Sequence, residues 1–175
     1  QEVQPLMLTV NSVLKQVQLL QGVLGALEFL NTQMQLYENL TPNLWTLNLL
    51  LKGCAKEGQV GASFSLLEGA ARTWNITPNV VSYTIIMQCY RTKQDPVGAY
   101  AVFQRMLKEH IVPDRVACTR MMQLFAEYGD EEACINFLKS ARKNRWLKKR
   151  ARAEIEEMAM EIFARYGDSQ LDHQD

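Results

Sequence analysis

The densest chemistry in this sequence is a run of cations. Lys139, Arg142, Lys143, Arg145, Lys148, Lys149, Arg150 and Arg152 place eight positive charges within fourteen residues, with no acid among them. Such a run suits phosphate, because each cation that neutralises a phosphate releases a condensed counter-ion. Glu154, Glu156, Glu157 and Glu161 follow at once. The opposing reading is therefore a solvated helix whose halves pair at i,i+4, Arg150 with Glu154 and Arg152 with Glu156. Other reactive side chains are sparse. Cys54, Cys89, Cys118 and Cys134 form no C-x-x-C pair, and His110 and His173 offer no metal cluster. The cysteines fall on apolar helical stretches and are expected as buried free thiols, which fits a reducing compartment. There is no phosphate loop and no Ser/His/Asp set. No enzyme activity, cofactor, metal or small-molecule substrate is expected.

The elements that must carry these residues are repetitive. Thr41 to Asn48 (TPNLWTLN) matches Thr77 to Thr84 (TPNVVSYT), displaced by 36. Pro113 to Thr119 matches Pro78 to Thr84, displaced by 35, and FAEYGD at 125–130 returns as FARYGD at 163–168. Between Pro78 and Asp114 lie two amphipathic runs. Val81 to Thr92 carries Tyr83, Ile86, Met87 and Tyr90 at helical spacing; Pro96 to Glu109 carries Val97, Tyr100, Phe103 and Met106. Asp95 suits an N-cap and Pro96 a first helical turn. A two-helix hairpin of this size cannot bury its apolar faces alone, so copies must stack.

The boundaries follow. One all-α solenoid domain spans 1–175, with a degenerate repeat or N-terminal cap at 8–41 and repeats at 42–77, 78–112 and 113–146. A closing helix at 147–168 and a disordered tail at 169–175 complete it. Helices are expected over 44–57 and 59–73, 80–92 and 96–109, 115–128 and 131–143, with Gly58 ending the first of them. Residues 1–7 are expected to fray. No apolar run is long enough to span a bilayer, so no membrane insertion is expected. Gln1 is no initiator, which suggests a fragment or a processed chain.

Val81-Ser82-Tyr83-Thr84 and Ile111-Val112-Pro113-Asp114, with Lys56-Glu57-Gly58 and Ile76-Thr77-Pro78-Asn79 before them, resemble the pentatricopeptide-repeat family in period and pattern. The resemblance implies a right-handed superhelical stack of hairpins whose first helices read single-stranded RNA, one base per repeat. The reading pair of each repeat is the residue after the Tyr position and the residue after the closing Pro. By position these are Thr84 with Asp114, Asn48 with Asn79 and, in the degenerate repeat, Asn11 with Asn43. Thr119 would be the next reader, without a partner. In the family's code Thr with Asp favours guanine and Asn with Asn a pyrimidine. Leu8, Trp45, Val81 and Val116 occupy the base-clamping position; Trp45 departs from the usual small aliphatic. Lys56 sits where the family often contacts phosphate. Its equivalents are Thr92, with Lys93 beside it, and Glu127.

Two functions stand against each other. The first is an RNA-binding repeat protein of an organelle, the mitochondrion before the chloroplast by family habit. The second is a structural subunit of a large organellar assembly such as a ribosome, touching rRNA or other subunits. A formal net charge of zero and the small number of intact repeats favour the second. An adaptor with no RNA contact ranks behind both.

Overall fold

The computed structural model describes residues 7–144, 153–158, 160–161 and 164, and among these every regular element is helical. The expectations for residues 1–6, for the tail and for most of the closing helix lie outside the described residues. Seven helices are delimited: α1 Met7–Leu36, α2 Leu44–Glu57, α3 Val60–Thr73, α4 Val80–Thr92, α5 Pro96–Lys108, α6 Arg115–Glu127 and α7 Glu131–Lys143. Residues 153–158 are helical as well. No helix among the described residues is long and apolar enough to cross a membrane. The chain divides into two compact units, residues 1–93 and 94–175.

Local chemistry sets the helix ends. Asn43 and Asn79 cap α2 and α4 through capping boxes with Thr46 and Ser82. Asp95, Asp114 and Asp130 cap α5, α6 and α7, each accepting from a backbone N–H three residues on. Gly58 closes α2 in the left-handed conformation (φ 65°, ψ 27°). These are the turns the sequence pattern proposes, within a residue or so.

The N-terminal stretch is less regular. α1 breaks at Gly22, whose backbone (φ 73°, ψ −168°) is not helical. Val23 starts the second segment, and its N–H donates to Glu57 Oε1 at 3.2 Å. The carboxylate at the end of α2 thus caps a helix that begins in mid-sequence of α1. Gln18 Nε2 also donates to the Leu50 carbonyl, and α1 packs on α2, so the degenerate 8–41 region has two helical segments seated on the following repeat.

In the first unit α2 packs on α1, α3 and α4, around Leu14, Leu30, Leu47, Leu50, Leu51, Tyr83, Ile86 and Met87. In the second, Phe103, Phe125 and Phe137 meet edge to face, with ring centroids 5.1 Å apart for Phe103–Phe137 and 6.1 Å for Phe125–Phe137. Met106, Met121 and Met122 are fully enclosed. All four cysteines are buried free thiols. Burial, with Cys89 and Glu57 nearby, pushes the Cys54 thiol up to about 12; burial, with Asp114 nearby, pushes Cys118 up to about 12. Desolvation penalises the thiolate, so these groups stay neutral and pack as small hydrophobes.

Candidate functional site

The first helices of the hairpins begin with a repeated arrangement. At their second positions stand Leu8 (74% exposed), Trp45 (51%), Val81 (44%) and Val116 (55%), large apolar side chains in water at the same register of four helices. The neighbouring Tyr-register residues Val10, Leu47, Tyr83 and Cys118 are buried. The exposed residues thus recur at one register, Leu8, Trp45 and Val81 in the first unit and Val116 in the second, each three residues before a position that the resemblance assigns to base reading.

The caps fix which atoms the readers present. Asn79 Oδ1 accepts from the N–H groups of Val81 (3.1 Å) and Ser82 (3.2 Å). Both its lone pairs are then used, and the Nδ2 donors remain. Asp114 Oδ1 accepts from the Ala117 N–H at 2.8 Å, which leaves a second carboxylate oxygen as acceptor. The same capping geometry thus offers donors at Asn79 and an acceptor at Asp114. Donors match the acceptors on a pyrimidine edge, and an acceptor matches the N–H groups of guanine. Thr84 is half-buried and donates its hydroxyl to the Val80 carbonyl at 2.7 Å, keeping its lone pairs for a ligand. Thr119 is half-buried on the first turns of α6. Thr84 lies in the first compact unit and Asp114 in the second.

One expected reader is closed. Asn11 is only 2% exposed, and its carbonyl accepts the Thr46 hydroxyl at 2.9 Å. The amide is enclosed between α1 and α2, so it cannot meet a base as the sequence pattern implies. Asn43 remains exposed, but as the α2 cap. Asn48 is half-buried and accepts the Ser82 hydroxyl at 2.7 Å.

The cations divide. Lys56 is exposed near the end of α2 and lines a cleft of about 380 Å3 with Lys15, Lys52, Gln18 and Glu57. Lys15 escapes sequence reasoning because it comes from a different helix, α1; Lys52 stands four residues before Lys56 on α2, so helical spacing alone puts those two on one face. The near-repeat spacing of Lys15 from Lys52 is the signal that could have found the first. Thr92, the counterpart of Lys56, is a structural tie and donates to the Ala55 carbonyl at 2.9 Å. Lys93 is exposed at the end of α4. Lys139, Arg142 and Lys143 lie along α7; Arg145, Lys148, Lys149, Arg150 and Arg152 lie outside the described residues. The acids beyond reach distant partners: Arg142 pairs with Glu156 at 2.8 Å and Arg115 with Glu154 at 3.0 Å. No group of three or more His, Cys, Asp or Glu able to hold a metal occurs among the described residues.

A family model described as the pentacotripeptide-repeat region of PRORP matches residues 4–160. A chloroplastic pentatricopeptide repeat-containing protein of Arabidopsis thaliana is 37% identical over 87 residues, 50% of this chain and 11% of that protein. A second such protein from A. thaliana is 31% identical over 94 residues, 53% of this chain and 19% of that protein. The matched stretch is thus a small part of either relative. Among solved structures, PPR10 from maize covers 95% of this chain and 26% of its own, with a TM-score of 0.71 at 17% identity. PPR10 in complex with an 18-nt psaJ RNA element covers 94% and 23%, at TM-score 0.73 and 16% identity. The PPR domain of A. thaliana protein-only RNase P 1, in complex with tRNA, covers 89% and 81%, at TM-score 0.60 and 18% identity. These likenesses show the fold, an all-α superhelical solenoid of helical hairpins.

Proposed function

This chain belongs to the pentatricopeptide-repeat family, and on that premise we propose that it binds single-stranded RNA through the starts of its first helices. The observation that carries this reading is the periodic row of exposed apolar residues, Leu8, Trp45, Val81 and Val116. Apolar surface in water at one register of successive repeats is unfavourable unless something covers it, and a nucleobase face is a matching cover. By the family's code Asn48 with Asn79 takes a pyrimidine, and Thr84 and Asp114, which fall in separate compact units, are the positions the code gives to guanine. Lys15, Lys52 and Lys56 at their shared cleft, with Lys93, are the phosphate contacts of this reading, and the basic run from Lys139 adds affinity that does not depend on sequence. Base recognition is the role; no bond is made or broken. The compartment is an organelle. The chloroplastic relative favours a chloroplast as much as a mitochondrion, so the family preference for the mitochondrion is not carried forward.

The test is fluorescence anisotropy of short single-stranded RNAs across a salt series. Affinity should fall with a slope of about −0.7 in log K per log salt for each phosphate engaged. Asp114→Asn keeps the cap but exchanges the outward acceptor for a donor, so it should weaken guanine-containing RNA selectively. Binding that is absent, or indifferent to salt, refutes the reading.

A second reading has its own observation. Leu19, Leu20 and Leu24 on α1 are exposed, an apolar flank of the kind that a subunit of a large organellar particle buries against its neighbours. Gradient fractionation of an organelle extract with and without RNase separates the two. Fixed co-migration with a particle at high salt favours the scaffold, and a small RNase-sensitive species favours the RNA reader.

A further inference from the structure

Two hydroxyls tie each repeat to the next. Thr46 Oγ1 donates to Asn11 Oδ1 and accepts from the Asn43 N–H at 3.2 Å; Ser82 Oγ donates to Asn48 Oδ1 and accepts from the Asn79 N–H at 3.3 Å. The residues joined are 35 and 34 apart, one repeat period. Thr46 and Ser82 are completely buried. In the first copy the amide is enclosed, but in the second Asn48 is half-buried at a reader position.

The direction of the Ser82 bond is decided by what surrounds it. A hydroxyl has one proton, and two carbonyl oxygens lie within reach: Asn48 Oδ1 at 2.7 Å and Asn79 Oδ1 at 3.4 Å. Asn79 Oδ1 already receives two backbone N–H groups. The proton therefore goes to Asn48, at the ordinary length of an O–H···O bond. Turned end for end, the Asn48 amide would donate to Ser82 Oγ and drive the hydroxyl proton to Asn79 Oδ1, 3.4 Å away and already engaged by two N–H groups, so the orientation that leaves Nδ2 for a ligand is favoured.

We propose that Ser82 is a positioning residue for base discrimination: through its hydroxyl it fixes the Asn48 amide with donors outward, and so makes this repeat select pyrimidine acceptors. The inference rests on the RNA-binding function above. It extends that function to a side chain that never touches the base. An Asn48 free to turn over would present acceptor or donor at equal convenience and would select poorly. Where the register carries Ala117, no side-chain hydroxyl exists to hold a reader in this way.

The experiment compares the unmodified chain with Ser82→Ala, Ser82→Thr and Asn48→Asp. Short RNAs carry U, C, A or G beside a fixed guanine, read by anisotropy across a salt series and alongside thermal melting. Ser82→Ala should lower the pyrimidine-over-purine ratio by about fivefold, the worth of one hydrogen bond, with the salt slope unchanged. Ser82→Thr should restore the ratio. Asn48→Asp keeps the hydroxyl bond and turns an acceptor outward, so preference should move toward guanine; it carries the test if Ser82→Ala melts early. A pyrimidine ratio that survives Ser82→Ala in a folded protein, or Asn48→Asp without a shift toward guanine, overturns the positioning role alone. Failure of the unmodified chain to bind RNA overturns the underlying function together with it.

Discussion

Gly22→Ala is a sharp test of how this chain turns inside α1. At φ 73° and ψ −168° Gly22 occupies a region that is essentially closed to L side chains, and holding one there costs about 1–3 kcal/mol. Space adds to the backbone term. A Cβ on Gly22 would stand 3.0 Å from Glu57 Oε1, the atom that receives the buried Val23 N–H. Pushing that carboxylate aside orphans a buried donor and loses a charge-assisted bond worth about 1.5–3 kcal/mol. The two effects share an atom and will not add fully, so the expected loss is about 2–4 kcal/mol. Urea unfolding followed by far-UV circular dichroism measures it. Gly69→Ala is the internal control: nothing lies within 4 Å of its Cβ position on α3, and the same chemical change should stabilise by up to about 1 kcal/mol. Glu57→Ala separates the terms, since it removes the cap without straining Gly22. Gly22→Ala as stable as the unmodified chain, with added helical signal, would mean that α1 runs straight, and the reasoning would fail.

Two further outcomes follow from side-chain environments. Cys54 and Cys118 are neutral in the fold up to about 12, whereas an unfolded thiol ionises near 9.0. The stabilisation is complete below pH 9 and is lost as pH rises from 9 toward 12, by about 1.4 kcal/mol per pH unit for each thiol. Denaturant titrations at stepped pH should show this fall, and Cys118→Ala should make it shallower; a flat profile refutes the burial argument. Glu156→Gln breaks the pair with Arg142, whose side chains are 30% and 59% exposed, so stability should change by less than about 1 kcal/mol. If α7 faces RNA, the released Arg142 should raise affinity at low salt, and the gain should vanish at high salt.

The pattern of the chain reached the hairpins because their ends are local chemistry. Asn79, Asp95, Asp114 and Asp130 each cap a helix by accepting an N–H three residues further on, and Gly58 ends α2 by its own backbone freedom. Such features need no knowledge of a partner. The proposed readers Asn48, Asn79, Thr84 and Asp114 and the proposed clamp positions follow from the same register. Glu156 and Glu154 also reach Arg142 and Arg115, contacts that depend on packing within the second unit, while the i,i+4 pairing expected with Arg150 and Arg152 involves residues outside those described.

Sequence by itself thus determined the period, the helix ends and the polarity of each cap, because each depends on atoms a few bonds apart. Tertiary structure alone decided that Asn11 is shut in by Thr46, that Ser82 holds Asn48, that Glu57 caps Val23 and that Lys15 joins Lys52 and Lys56 at one cleft. Those ties join residues more than thirty positions apart. Their existence depends on how closely one repeat seats on the next, and burial, not residue type, closes Asn11 to a ligand while leaving Asn48, at the same register, half-exposed.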